Sequence, residues 1–241
     1  MVRQLRVQRD SAGRTLRGKA RSRNEDAFLD CPQHGCWAVA DGMGGHRAGD
    51  RASQWVINCL ASLPGQGCLD ERVEAVRRCL RWLDTQMGAA LQHTAEGIMG
   101  STVVALLLDG NRAACIWVGD SRCYLWRGRR LYQLSRDHSR LQQLMDTQQL
   151  SLEQAQAHPD ARALTRAIGG RRPLSLEVLE LSTQPGDVFL LCSDGLYQGL
   201  SHGELGSALS LGTPRQAVDR LFAQVLRGAA RDDLTAVVVQ P

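Results

Sequence analysis

A chain of 241 residues, 43% hydrophobic and 22% charged with a formal net charge of +4, can bury one sizeable core and lies far from the low-hydrophobicity, high-charge composition of disordered proteins. The longest apolar stretch, residues 103–108, is much shorter than the roughly 20 residues that cross a bilayer. Residues 1–23 have no apolar centre of the kind a secretory signal needs, so a cytoplasmic location without membrane contact is expected.

The basic residues are nearly all arginine, with Lys19 the only lysine. Their densest cluster, Arg127, Arg129 and Arg130, reads as a solvated turn, and no nucleic-acid partner is expected. The 8 cysteines are scattered and several sit in apolar runs, which favours buried reduced thiols. Cys31 and Cys36 lack the second pair that a tetrahedral zinc site needs.

In chain order, Leu5 and Val7 alternate with polar neighbours as a short strand, and residues 36–40 form a compact strand ending at Asp41. A Gly-rich loop (Gly42, Gly44, Gly45, Gly49) follows. Ala52, Trp55, Val56, Cys59 and Leu60 then fall at helical spacing until Pro64 and Gly65. A second helix is marked by Leu69, Val73, Val76, Leu80, Leu83, Met87 and Leu91, with Glu71, Arg72, Glu74, Arg77, Arg78 and Arg81 expected to face water. Such an antiparallel pair can cover one face of a sheet.

Residues 102–108, 113–118 and 123–126 read as strands. The turn signals between them, Asp109-Gly110-Asn111 and Gly119-Asp120-Ser121, predict antiparallel hairpins. Residues 137–170 are polar, Gln-rich and weakly helical, an insertion expected to lie over the surface. Strands at 176–179 and 188–192, a helix over 214–226 and a last strand at 235–239 complete the series, and there is no internal repeat.

Acidic residues recur beside glycine or small polar residues in loops and at strand ends: Glu25 and Asp26, Asp41-Gly42, Asp120, Asp194-Gly195, and Asp232-Asp233. Carboxylate oxygens supplemented by backbone carbonyls and water are what a hard divalent cation takes as ligands. Any one Asp-Gly pair reads more simply as a turn, as Asp109-Gly110 does. Asp41 and Asp194 differ in ending apolar runs that should be central strands, from which ligands converge at one edge of a sheet.

Taken in order, Gly18-x-x-Arg21-x-x-Asn24-Glu25-Asp26, Val39-Ala40-Asp41-Gly42-Met43-Gly44-Gly45, Gly100-Ser101-Thr102, Val118-Gly119-Asp120-Ser121-Arg122, Asp137-His138-Ser139, Leu164-Thr165-Arg166-Ala167-Ile168-Gly169, Cys192-Ser193-Asp194-Gly195-Leu196 and Asp232-Asp233-Leu234-Thr235 resemble the protein phosphatase 2C family. The likeness is to its compact bacterial members, which act opposite Hanks-type serine/threonine kinases, and it covers residues 18–239. It implies an α+β fold, a four-layer αββα sandwich of two antiparallel sheets flanked by helices, as one domain over 1–241 with a flap at about 137–170. It implies a metal-dependent protein serine/threonine phosphatase using two Mn²⁺ or Mg²⁺ ions and a third, weaker one.

Carried onto this sequence, the resemblance has Asp41 bridge two ions, Asp194 and Asp232 complete one, and the Gly42 carbonyl help bind the other. Asp120 joins Asp194 at the third, Glu25 and Asp26 orient water, and Arg21 holds the substrate phosphate. Implied partners are Ser/Thr-phosphorylated proteins, a cognate kinase and a forkhead-associated domain protein. Two departures stand out. Met43 replaces the histidine that many eukaryotic members carry after Asp-Gly, with His46 three residues on, and Asp233 stands where an asparagine is usual. The extra carboxylate is expected to add charge near Asp232 or else to point into solvent. A phosphoprotein-binding relative without activity and a two-metal nucleotide phosphohydrolase are the competing readings.

Overall fold

The computed structural model describes residues 9–44, 48–92, 99–170 and 173–241, the side chains of 90–92 excepted. Leu5, Val7 and the Leu91 side chain lie outside this set. The strands are β1 (Asp10–Leu16), β2 (Asp26–Cys31), β3 (Cys36–Gly44), β4 (Met99–Ser101), β5 (Val103–Asp109), β6 (Arg112–Val118), β7 (Arg122–Arg127), β8 (Arg130–Gln133), β9 (Glu177–Ser182), β10 (Val188–Cys192) and β11 (Leu234–Gln240). The helices are α1 (Ala48–Ala61), α2 (Leu69–Gln92), α3 (Arg140–Gln148), α4 (Leu152–Gln156), α5 (Asp194–Tyr197), α6 (His202–Leu209) and α7 (Pro214–Val225).

One sheet runs β1-β11-β10-β7-β8 and the other β2-β3-β5-β6-β9, with β4 on the end of β3; all of these pairs are antiparallel. Period-two alternation gives each sheet two apolar faces. Trp37, Val39, Leu106, Leu125, Phe189 and Val237 are among the residues that fill the seam between the sheets. Ala38, Ala40, Ala105 and Ile116 pack against α1 and α2 on one outer face. Leu190, Ala236 and Val238 pack against α6 and α7 on the other. The four layers expected from the resemblance are therefore present.

Four expectations need correction. Gly119-Asp120-Ser121 is not a hairpin turn: β6 and β7 belong to different sheets, and these residues carry the chain across. A turn signal reports a reversal of direction and cannot say which sheet the next strand joins. Gly119 makes the crossing at φ +104, where an added Cβ would also press on Thr102 at 2.6 Å.

β3 does not stop at Asp41, because β4 pairs with its extension (Gly42↔Ser101, Met43↔Gly100, Gly44↔Met99), and Gly49 belongs to the first turn of α1. Arg72 does not face water: it is 7% exposed and donates to the carbonyls of Leu108 (3.0 Å), His34 (2.5 Å) and Gly35 (2.9 Å), tying α2 to the β2–β3 connection. Finally, Cys59 and Cys79 are joined as a disulfide, because they face each other where α1 meets α2 with Cα atoms 6.5 Å apart, within disulfide reach. Of the free thiols, Cys68 is exposed and Cys31, Cys36, Cys115, Cys123 and Cys192 are buried.

β8, α5 and α6 were not anticipated. α6 is closed by a capping box between Ser201 and Glu204, and α7 by Thr213 followed by Pro214. The 137–170 insertion is more firmly tied down than a segment draped over the surface, with Leu144, Ala155 and Ile168 buried and Ser101 and Ile168 exchanging backbone hydrogen bonds. No helix among the described residues is long and apolar enough to cross a membrane.

Candidate active site

The site arises where the apolar alternation of the seam gives way to polar residues at one end. In β3, Trp37 and Val39 face the other sheet, so Asp41 does too. The same period carries Phe28 to Asp26, Val237 to Thr235, Leu191 to Ser193, Cys123 to Ser121 and Val104 to Thr102. Six strands thus deliver two carboxylates and four hydroxyls to one place.

The hydroxyls are spent on holding the acids. Asp26, paired with Asp41 across β2 and β3, accepts from Ser193 Oγ and Thr235 Oγ1, both at 2.7 Å. Thr235 is joined in turn to Thr15 (2.7 Å), which accepts from Asn24 Nδ2 (2.8 Å). Thr102 Oγ1 accepts from the Asp41 amide (3.0 Å) and bonds Ser121 Oγ (2.7 Å). The Glu25 carbonyl accepts from the Gly42 amide at 3.0 Å, and a Cβ on Gly42 would collide with the Gly49 carbonyl, so only glycine admits the first turn of α1 here.

Arg21, Glu25, Asp41, Gly42, Asp120, Asp194 and Asp232 line one cavity of about 1280 Å³, whose far wall includes Arg140, Arg162, Thr165 and Arg166 of the 137–170 insertion. Burial first, and then the neighbouring carboxylates Asp26, Asp194, Asp120 and Asp232, push the Asp41 pKa well above the usual range. Burial and Asp194 push Asp120 up to about 7. Burial also takes Asp26 to about 7, against the two hydroxyls that favour its anion, and burial with Asp232 raises Asp194.

Two residues expected at the chemistry stand elsewhere. Asp233 is 4% exposed and accepts from the backbone amides of Gly18 and Glu25, each at 2.8 Å. With both oxygens occupied by amides it neither orients water in the cavity nor points into solvent; it clamps the 18–25 turn to the start of β11. Asp26 lies beneath the cavity wall in the hydroxyl network. Arg21 does reach the cavity, but its Nε and Nη2 form a two-pronged pair with Asp232 at 2.7 and 2.8 Å, a contact the motif alone did not suggest. That pairing raises the Arg21 pKa further. His46 and Gly45 lie outside the described residues, and no histidine lines the cavity among those described.

The insertion is moored beside Asp120. Arg122 holds Asp137 with two prongs (2.9 and 2.6 Å) and lies 3.7 Å over the Tyr197 ring, while Tyr197 donates to the Asp120 carbonyl (3.1 Å). His138 Nδ1 accepts from the Gly119 amide (3.1 Å), so Nε2 carries the hydrogen toward Glu177 Oε1 (3.1 Å), which also accepts from Arg166 (3.0 Å). Burial pushes the His138 pKa down.

The donor set suits hard divalent cations: it is entirely oxygen, from four aspartates at separate places in the chain plus the Gly42 carbonyl, and burial first, then neighbouring carboxylates, raise the pKa of Asp41, Asp120 and Asp194. Among the described residues no three acidic, histidine or cysteine side chains already close on one ion-sized point. Arg21 engages Asp232 and Gln198 engages Asp194 at 2.8 Å.

The sequence profile described as Protein phosphatase 2C matches residues 17–239. The chain belongs to the protein phosphatase 2C family. Serine/threonine protein phosphatase PstP of Mycobacterium tuberculosis is 36% identical over 231 residues, 94% of this chain and 44% of that protein, so the chain spans less than half the length of this relative. The solved structure of PppA, a key regulatory component of T6SS in Pseudomonas aeruginosa, is 41% identical with a TM-score of 0.88, covering 96% of this chain and 97% of that one. The PstP catalytic domain in complex with two manganese ions is 33% identical with a TM-score of 0.81, covering 96% and 97%.

Proposed function

We propose that this chain is a metal-dependent protein serine/threonine phosphatase, a single protein phosphatase 2C domain with a flap over 137–170. The observation that carries it is the convergence of Asp41 in β3, Asp120 in the β6–β7 crossing, Asp194 at the start of α5 and Asp232 just before β11, with Arg21, on the wall of one cavity. Asp41, Asp194, Asp232 and the Gly42 carbonyl are the residues that would hold two cations, Mn²⁺ or Mg²⁺, and Asp120 with Asp194 a third. Bound there, such ions neutralise phosphoryl oxygens and make water acidic enough to attack at neutral pH.

The chain's own contribution is placement. The Asp26–Ser193–Thr235 network fixes β2 against β10 and β11, and so fixes Asp26's cross-strand partner Asp41. Glu25 faces the cavity, where it can accept a proton from water. Asp232 holds Nε and Nη2 of Arg21, which leaves Nη1 as the donor this cavity-lining side chain would offer a phosphate. Arg162 and Arg166 on the flap supply further positive charge to an incoming phosphoprotein.

A Hanks-type kinase and a forkhead-associated domain protein are the proposed partners, and the 41% identity to PppA supports regulation of a secretion apparatus as the setting. The test is turnover of a phosphothreonine peptide beside a nucleoside triphosphate after metal removal. Activity on the peptide alone, restored by Mn²⁺ or Mg²⁺, is expected; full turnover in excess chelator, or preference for the nucleotide, refutes the reading.

A further inference from the structure

The outer face of α1 and α2 carries two tryptophans that the fold does not use. Trp82 is 60% exposed and Trp55 37%, whereas Trp37 and Trp117 are buried in the seam. The Cys59–Cys79 bridge marks the line where the helices meet. Trp55 lies one turn before Cys59 and Trp82 about one turn after Cys79, so in this antiparallel pair both fall on the same side of the bridge, toward the active-site end. Each has an arginine one turn before it on the same helix face, Arg51 for Trp55 and Arg78 for Trp82, while Arg81, three residues after Arg78, adjoins it on the side of α2 away from α1.

The charge there is one-sided. Arg51, Arg78 and Arg81 are exposed and make no ion pair with another described residue. The acids of the same two helices are engaged: Asp50 by Arg23 (3.3 Å), Asp70 by Arg112 (2.8 Å) and Glu74 by Arg77 (2.9 Å). Glu71 accepts from the Cys68 amide (2.9 Å) and Asp84 from the Gly169 amide (2.7 Å). Tryptophan and arginine are the residues that carry most binding energy at protein interfaces, and an uncompensated arginine set selects a partner bearing carboxylates.

The patch is also close to the chemistry. Gly49, in the first turn of α1, packs on Glu25 and Gly42 of the cavity wall. Six residues of helix separate it from Trp55, about 9 Å of rise. A segment only a few residues from a phosphorylated side chain in the cavity spans that distance.

We propose that the outer seam of α1 and α2 is a docking site for an acidic segment of the phosphoprotein substrate, whose apolar side chains rest on Trp55 and Trp82 while its carboxylates meet Arg51 and Arg78. The proposal rests on the phosphatase reading above.

The test compares three substrates of the Mn²⁺-loaded enzyme: p-nitrophenyl phosphate, a short phosphothreonine peptide, and that peptide extended by a segment alternating Asp or Glu with Leu or Phe. A version of the extension with lysine in place of the acids serves as control. Wild type should turn over the acidic extended peptide with a lower KM than the short or lysine forms. Trp82→Ala and Arg78→Glu should each lower kcat/KM on it about thirtyfold through KM, the size of one hot-spot loss, and change p-nitrophenyl phosphate turnover less than twofold.

Equal treatment of acidic and lysine extensions by wild type, with the short peptide turned over normally, overturns the docking site and spares the phosphatase reading. No turnover of any phosphoester by wild type overturns that reading and the docking site with it. Self-association in sedimentation that Trp82→Ala abolishes assigns the face to a second copy of the chain and also overturns the proposal.

Discussion

Replacing Asp233 by asparagine changes one atom's chemistry at a buried joint. Both carboxylate oxygens accept backbone amides, from Gly18 and Glu25, at 2.8 Å, and the side chain is 4% exposed. Asparagine has one carbonyl oxygen, so its NH₂ group must face one of the two N–H donors. The loss is one hydrogen bond to a charged acceptor, about 1.5–3 kcal/mol, and a buried donor left unpaired, about 1–3 kcal/mol, two costs that overlap. Working the other way, Asp233 repels the anions of Glu25 and Asp26. A net destabilisation of about 2–3 kcal/mol follows. With unfolding entropy of about 2.1 cal/mol/K per residue, or about 0.5 kcal/mol/K for a chain of this length, the metal-free Tm should fall by about 4–6 °C. Circular-dichroism melts in excess chelator measure it. A Tm within about 1 °C of wild type, or above it, would show that the clamp carries no stability and that relief of repulsion dominates.

Asp194→Asn should cut metal-dependent turnover by more than about 100-fold, beyond the range typical of outer-shell changes, without lowering the metal-free Tm, because it removes an anion from a crowded site. A Tm drop of several degrees would make Asp194 a structural residue instead. Asp26 and Asp120 titrate near 7 in the fold against about 3.9 in an unfolded chain, so between those values the folded protein holds protons that the unfolded one has released. Stability of the metal-free protein should therefore fall as pH rises from about 4 to 7, and melts at pH 5.5 and 8 that coincide, or reverse in order, would refute the assignment. Arg72→Met removes a guanidinium donor from three backbone carbonyls, of which Gly35 keeps the Leu108 amide, and should cost about 3 kcal/mol, with Arg72→Lys failing to restore it because one ammonium cannot reproduce the guanidinium fork; full rescue by lysine in urea unfolding would contradict that geometry.

The outer helices and central strands were legible because their apolar periods are long and unbroken, as in α2 from Leu69 to Met87. Asp41, Asp120 and Asp194 were legible as candidates because each sits beside glycine or serine at the end of an apolar run, and Asp232 because it stands in an acidic pair just before the last one. Their partners were not. Thr235 and Ser193 read as ordinary motif neighbours, although continuing the period of two from Val237 and Leu191 places both hydroxyls on the face of the seam. Helical position alone puts Arg72 at the edge of the polar face, and only the tertiary approach of the β2–β3 connection and of the end of β5 offers it three carbonyls. The direction of Asp233 was beyond reach for the same reason: the amides it accepts come from residues more than 200 positions earlier in the chain.

The hydroxyl and amide contacts around the site explain how a fold can present several carboxylates close together and still close its core. The acids that face the cavity are held in different ways. Asp41 hangs between the Thr102 hydroxyl at its amide and the Thr102 amide and Ser101 hydroxyl at its carbonyl (3.0, 2.8 and 3.1 Å), so its backbone is fixed without using the carboxylate. Asp120 is held by its own carbonyl through Tyr197, and Asp232 by Arg21, which leaves only Asp194 dependent on a side-chain amide, Gln198, for local support. Behind the cavity, Asp26 and Asp233 give carboxylate oxygens to buried hydroxyls and backbone amides, whereas Asp232 and Asp194 on its wall give theirs to the exposed side chains of Arg21 and Gln198. Repulsion at Asp41 therefore appears as a raised pKa instead of splaying the strand end, because moving Asp41 requires breaking its backbone hydrogen bonds to Ser101 and Thr102.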